Sequence, residues 1–114
     1  MADVSVVMSA YKEPADVFLE AAESILSQTY SDLEFIIVLD CPNNNELRVQ
    51  INRIASVDRR VIPIWNEENI GLAESLNRAV KLSTGSYICR MDADDIAASN
   101  RIEMQLGYIE RKLP

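Results

Sequence analysis

No histidine occurs in the 114-residue chain. Without imidazole there is no histidine-based catalytic triad, histidine zinc site or imidazole proton shuttle, so any metal must be held mostly by oxygen. Cysteine is nearly as scarce. Cys41 and Cys89 stand far apart with no C-x-x-C spacing, which indicates neither redox nor zinc chemistry and suits two small half-buried thiols in a reducing cytoplasm. Glycine (3) and proline (4) are too few for a fibrous or low-complexity chain, and 48% hydrophobic with 25% charged residues is a globular composition. Basic residues are outnumbered, 11 Lys and Arg against 18 Asp and Glu. The resulting net charge of −7 argues against the basic face with which nucleic-acid binders displace phosphate counterions. Long apolar runs are missing as well. The best of them, Phe35 to Leu39, is far too short to span a bilayer, and Met1-Ala2-Asp3-Val4-Ser5 lacks the basic segment and apolar run of a signal peptide. There is no P-loop, no G-x-G-x-x-G and no internal repeat. One soluble, cytoplasmic-type domain over residues 1–114 is expected.

What remains alternates regularly. Val4 to Met8 is β-rich and apolar, as a strand covered on both faces would be. Phe18, Ala21, Ala22, Ile25 and Leu26 recur at helical spacing behind Pro14, which suits a first turn. Phe35 to Leu39 predicts a second buried strand, and Asp40-Cys41-Pro42-Asn43-Asn44-Asn45 a loop. A helix over 46–55 follows, then a strand over 61–65 whose Pro63 cannot donate to a ladder and so places it at a sheet edge. Leu72, Ala73, Leu76, Ala79 and Val80 predict a third helix, ended by Gly85. Tyr87 to Met91 predicts a fourth strand, and Ile102, Leu106 and Ile109 a last helix. Such alternation means βαβ units and a mainly parallel sheet in a three-layer α/β/α sandwich of Rossmann-like type. Ligands of such sheets bind beyond the carboxyl ends of the strands, so function is to be sought in the loops that follow them.

One of those loops is acidic. Asp92-Ala93-Asp94-Asp95 puts three carboxylates within four residues. Crowded like charges raise one another's pKa unless something positive intervenes, and a hard divalent cation with oxygen ligands answers that need. The competing reading is a helix start, where Asp complements the dipole and caps free N–H groups. An EF-hand frame beginning at Asp92 fails, because Ile96 and Ala97 stand where that loop needs a ligand and a glycine.

In order along the chain, several segments resemble landmarks of one family. They are Ser5-Val6-Val7-Met8-Ser9-Ala10-Tyr11, Ser24-Ile25-Leu26-Ser27-Gln28-Thr29-Tyr30 and Glu34 to Asp40, then Asn69-Ile70-Gly71-Leu72, Leu76-Asn77, Gly85-Ser86-Tyr87-Ile88 and Arg90 to Asp95. The sequence resembles the nucleotide-sugar-binding portion of inverting family 2 glycosyltransferases with the GT-A fold. The resemblance implies that Ser9, Ala10 and Tyr11 lie along a nucleobase, with Tyr11 stacking on uracil, and that Asp40 accepts the base ring N–H. It implies that Asp92 and Ala93 of the D-x-D motif lie near the ribose. Asp94 is then the direct ligand of Mn²⁺ or Mg²⁺, with Asp92 at its water shell and Asp95 as support. A UDP-sugar is the favoured donor, with thymidine or guanosine nucleotides as alternatives. Leu39, Lys12 and Cys41 depart from the family's usual Asp, Asn and Gly.

An inverting transferase also needs a general base for the acceptor hydroxyl. In relatives that carboxylate and the site for a glycan or lipid-linked acceptor lie downstream of the D-x-D motif. No catalytic residue is therefore expected within this chain, Glu103 and Glu110 reading as solvent-facing helix residues. The setting implied is the cytoplasm or, for a full-length protein, the inner face of a membrane. Two other classes stay open, a non-catalytic nucleotide-sugar-binding module and a receiver-like signalling domain. Among single residues, Asn69 and Gly71 read as turn formers, Asn77 as a structural hydrogen-bonder, Trp65 as core or edge packing, and Arg90 as either a counter-charge to the acidic loop or a solvent-facing residue.

Overall fold

The computed structural model describes residues 3–112. Four strands and four helices alternate: β1 (Val4–Ala10), α1 (Ala15–Leu26), β2 (Leu33–Leu39), α2 (Asn45–Val57), β3 (Val61–Trp65), α3 (Leu72–Leu82), β4 (Tyr87–Arg90) and α4 (Arg101–Lys112). All strand pairs are parallel and the order is β3-β2-β1-β4. The two mostly apolar strands β1 and β2 occupy the centre and are buried throughout, as strands covered on both faces must be. Pro63 sits on the edge strand β3, paired opposite Ile37, where only one side of the ladder needs donors.

The connections explain the layers. Crossovers β1 to β2 and β2 to β3 step in one direction, whereas β3 to β4 returns past β1 to the opposite edge. With one handedness favoured, the returning helix must cover the other face of the sheet. The core divides accordingly. Val6, Met8, Phe35 and Ile37 pack with Phe18 and Ile25 of α1, Leu47 and Ile51 of α2, and Ile102 and Leu106 of α4. Val7, Ile36, Val38 and Ile64 face Leu76 and Ala79 of α3. Three layers result, an α/β/α sandwich about a parallel sheet.

Several boundaries differ from the sequence reading. β1 runs on to Ala10, so Ser9 and Ala10 are strand residues and only Tyr11 begins the loop. Pro14 takes the N-cap position of α1 rather than its first turn. The third helix ends at Leu82, not at Gly85. Gly85 is needed for a different reason, because a Cβ there would lie 2.7 Å from the backbone nitrogen of Ser5 and 2.8 Å from the carbonyl carbon of Val4. Both cysteines are free thiols, and burial pushes the Cys89 thiol up, keeping it protonated at neutral pH.

Candidate functional site

The sheet reverses its winding between β1 and β4, and the polar residues gather at the carboxyl ends on either side of that point. After β2 stands Asp40, only 2% exposed. Its carboxylate has four protein donors. Asn66 Nδ2 (2.9 Å) and the Ile70 amide (2.8 Å) donate to Oδ1, while Asn69 Nδ2 (2.9 Å) and the Gly71 amide (2.9 Å) donate to Oδ2. Burying a carboxylate is costly unless its lone pairs are satisfied, and here the β3–α3 loop wraps round it to satisfy them. Gly71 closes that wrap with φ of 92°. Asn69 also donates to the Asp40 carbonyl at 3.0 Å, and Asn66 passes a second bond to Ser75 at 3.0 Å.

Above this floor lies an open cavity of about 350 Å³, lined by Ser9, Tyr11, Glu13, Asp40, Asn69, Gly71 and Leu72. A second hollow of about 540 Å³ shares Tyr11 and Asn69 and extends over Lys12, Cys41, Pro42, Asn43, Glu67 and Glu68. The volumes are those of small-molecule sites. Tyr11 stands at the junction of the two, 39% exposed, with the Lys12 ammonium 5.1 Å from its ring centroid. Its backbone is pinned at both ends: the amide donates to Glu13 Oε1 at 2.7 Å, and the carbonyl accepts from Asn44 Nδ2 at 2.9 Å. Ala10 does not reach this cavity. Its methyl group is buried in the core, and its carbonyl accepts the Asp40 amide at 2.8 Å, coupling the two strand ends.

The acidic loop follows β4, beside β1. Ala93 is buried in the core, which turns Asp92, Asp94 and Asp95 outward. Each of the three offers a carboxylate oxygen, and these lie within 4.8 Å of one another. Oxygens sharing one Mg²⁺ lie at most about 4.2 Å apart, a gap that a small rotation of exposed side chains closes. The donor set is therefore right for a hard divalent cation: oxygen only, crowded and anionic. Arg90 is the counter-charge considered above, its guanidinium 3.4 Å from Asp92 Oδ1, with 58% and 49% of the two side chains exposed. The Arg101 guanidinium bonds the Met91 sulfur at 3.0 Å and so stands near the same loop.

Of the residues singled out from sequence, Ser9, Tyr11 and Asp40 meet in one cavity, and Asp92, Asp94 and Asp95 form a separate cluster at the neighbouring strand end. Asn69 and Gly71 are turn residues that also line the cavity. Trp65 packs against the core under the Arg48 guanidinium, 4.7 Å from its centroid. Asn77 lies exposed on α3. Glu103 accepts from Thr29 Oγ1 at 2.6 Å. Glu13 and Asn66 went unnoticed in sequence, since neither belongs to an apolar pattern or an acidic run.

Comparison with known proteins places this geometry. The family described as Glycosyl transferase family 2 matches residues 5–113, and the chain belongs to it. An uncharacterized glycosyltransferase of Methanocaldococcus jannaschii is 48% identical over 107 residues, covering 94% of this chain and 37% of that protein. Among solved structures, residues 1–349 of S. aureus TarS in complex with UDP-GlcNAc superpose with a TM-score of 0.82 at 21% identity, covering 97% of this chain and 32% of that one. The mannosyltransferase PcManGT of Pyrobaculum calidifontis, in complex with GDP-Man and Mn²⁺, gives 0.78 at 24% identity, covering 98% and 33%. The fold is thus GT-A-like, and the chain spans about a third of the length of these proteins. No helix among the described residues is long and apolar enough to cross a membrane.

Proposed function

We propose that this chain is the donor-binding portion of an inverting glycosyltransferase, and that it holds a nucleoside-diphosphate sugar with the nucleoside over Ser9, Tyr11 and Asp40 and the diphosphate at Asp92–Asp95. The observation that carries this reading is the pairing, at one sheet switch point, of a cavity walled by Tyr11 and floored by an Asp40 carboxylate already met by four donors with a cluster of three outward carboxylates. An anionic diphosphate can approach three carboxylates only with a cation between them, whereas a neutral base needs none to enter beside Tyr11. The split therefore orients the ligand. A divalent cation, Mn²⁺ or Mg²⁺, supplies the positive charge that stabilises the departing diphosphate. Asp94 and Asp92 would hold it, with Asp95 in support.

The base contact has a cost visible in the hydrogen bonds. All four acceptor positions of Asp40 are engaged, so a base N–H must displace a donor. Asn69 is placed to yield, since it lines the cavity and its Nδ2 keeps the Asp40 carbonyl when it releases Oδ2. A single ring N–H bonded this way suits uracil, and a UDP-sugar is the donor this reading favours. Among the chain's carboxylates, Glu103 and Glu110 lie on α4 and the former is engaged by Thr29, so the acceptor's general base and its glycan or lipid-linked acceptor site are assigned to residues outside this chain. The domain in this reading binds donor without transferring sugar. Calorimetry with UDP, with and without Mn²⁺, tests it. Manganese-dependent binding that is lost in the Asp92→Asn/Asp94→Asn double variant is expected; equal affinity in parent and variant overturns the metal assignment.

A further inference from the structure

A buried glutamine far from the acidic loop in sequence holds the segment by which that loop leaves the sheet. Gln28, just past α1, is 5% exposed. Its Nε2 donates to the Ala98 carbonyl at 2.6 Å and to the Ser24 carbonyl at 2.9 Å, and its Oε1 accepts the Ile102 amide at 3.0 Å. Its neighbours act on the same stretch. Ser24 Oγ accepts the Ala97 amide at 3.0 Å, and the Thr29 amide donates to the Ser99 carbonyl at 2.8 Å. Residues 97–102 carry no strand or helix of their own until α4 begins at Arg101, so these bonds supply what the ladder supplies elsewhere. The Ile102 amide is one of the first-turn donors a helix leaves without a partner, and Gln28 serves it as an N-cap side chain would.

The acidic loop is consequently fixed at two ends. On one side the Met91 amide donates to the Val7 carbonyl at 3.0 Å. On the other, Ile96 alone separates Asp95 from the braced Ala97. Between them the carboxylates have little holding of their own: a turn bond from the Asp95 amide to the Asp92 carbonyl at 3.2 Å, and the half-exposed Arg90 contact. Three like charges would otherwise spread apart.

We propose that Gln28 is a positioning residue for the metal site: by bridging α1 to both Ala98 and the start of α4 it keeps Asp92, Asp94 and Asp95 gathered for an incoming cation. The inference rests on reading that cluster as a cation site. Groups that orient metal ligands from behind typically contribute a factor of roughly 10 to 100 in metal affinity.

The test compares the chain with Gln28→Leu, which removes all three bonds, and with the milder Ser24→Ala, which removes the acceptor for Ala97 together with the hydroxyl's own bond to the Ala21 carbonyl within α1. Mn²⁺ binding is read by electron paramagnetic resonance, uridine binding in the presence of a chelator by calorimetry, and folding by circular dichroism. A roughly 10-fold or greater loss of Mn²⁺ affinity in Gln28→Leu, a smaller loss in Ser24→Ala, and unchanged uridine affinity in both support the assignment. If Gln28→Leu does not fold, Ser24→Ala decides alone: weakened Mn²⁺ binding with retained uridine binding supports the brace, and unaltered Mn²⁺ binding overturns it. Equal losses of Mn²⁺ and uridine affinity overturn it too, as the mark of a purely structural role. Absence of Mn²⁺ binding in the parent chain overturns the cation-site reading itself, and this inference with it.

Discussion

Gly71 closes onto Asp40: its amide N–H donates to the carboxylate Oδ2 at 2.9 Å, from a backbone held at φ 92° and ψ 164°. That region of conformational space is costly for any residue with a Cβ, by about 1–3 kcal/mol. A Cβ on Gly71 would meet nothing within 4 Å, so crowding adds nothing to the backbone strain. Gly71→Ala is therefore expected to fold, to lose about 1–3 kcal/mol in a urea melt, and to weaken UDP binding because the loop walls the cavity proposed for the nucleoside. Unchanged stability would show that the loop relaxes without help from glycine.

Asp40 itself gives a sharper test. Asp40→Asn keeps the shape and turns one oxygen into an NH₂ group that faces two donors. Each donor stranded in this buried place costs about 1–3 kcal/mol, so the variant is expected to melt well below the parent. Fluorescence of Trp65, the single tryptophan, reports it at the end of β3 just before the loop begins. A melting curve that overlays the parent's would mean the carboxylate does not organise residues 66–71.

How far such features can be read from sequence depends on how local their causes are. β1 and β2 each hold an apolar run rich in β-branched or aromatic residues, Val6 to Met8 and Phe35 to Leu39, and both were legible as buried strands. The edge position of β3 followed from one proline. The acidic loop was legible because its three carboxylates are neighbours in the chain. By contrast, the partners of Asp40 lie 26 to 31 residues away, and those of Gln28 at Ala98 and Ile102 lie 70 and 74 away. No periodicity records such contacts. The first strand was expected over Val4 to Met8; it continues through Ser9, with Ala10 paired to Leu39.

Gly85 shows how one residue type serves two causes. A glycine soon after an amphipathic helix suggests a helix stop, yet α3 has ended before it and the space beside it is filled by β1 backbone. Backbone cannot swing aside as a flexible side chain does. Gly85→Ala is expected to cost about 1–3 kcal/mol or more, and to disturb the β1–β4 pairing that carries the acidic loop. Chemical denaturation, with amide exchange read across Ser5 and Ile88, checks both parts. Parent-like stability would refute the close approach.

The Arg90–Asp92 pair is largely exposed, and such pairs contribute at most about 1 kcal/mol to stability. Arg90→Ala should accordingly leave the melting temperature almost unchanged. It should instead raise Mn²⁺ affinity roughly 2-fold to 10-fold at low ionic strength, because a cation near the cluster is removed, with the gain shrinking at about 0.5 M salt. A loss of affinity would mean Arg90 supports the site rather than competing at it.

At the opposite end of the sheet Glu34 contributes to stability in acid. Its carboxylate is buried, and burial alone would raise its pKa. Ser5 Oγ (2.5 Å), the Thr84 amide (2.6 Å) and Thr84 Oγ1 (2.9 Å) donate to it and outweigh that, holding the carboxyl below its ordinary value. A carboxylate depressed in the folded state binds its proton more readily when unfolded. Its stabilisation is thus present above the unfolded pKa, about 4.3, and is lost as pH falls through the folded value. Glu34→Gln does not titrate and disrupts the donor set, so it should be less stable than the parent at pH 7 by about 1–3 kcal/mol. That difference should narrow steadily as denaturation is repeated from pH 6 down to about pH 3. A gap that stays constant over this range would show that Glu34 is held by shape alone and that its charge contributes nothing to the fold.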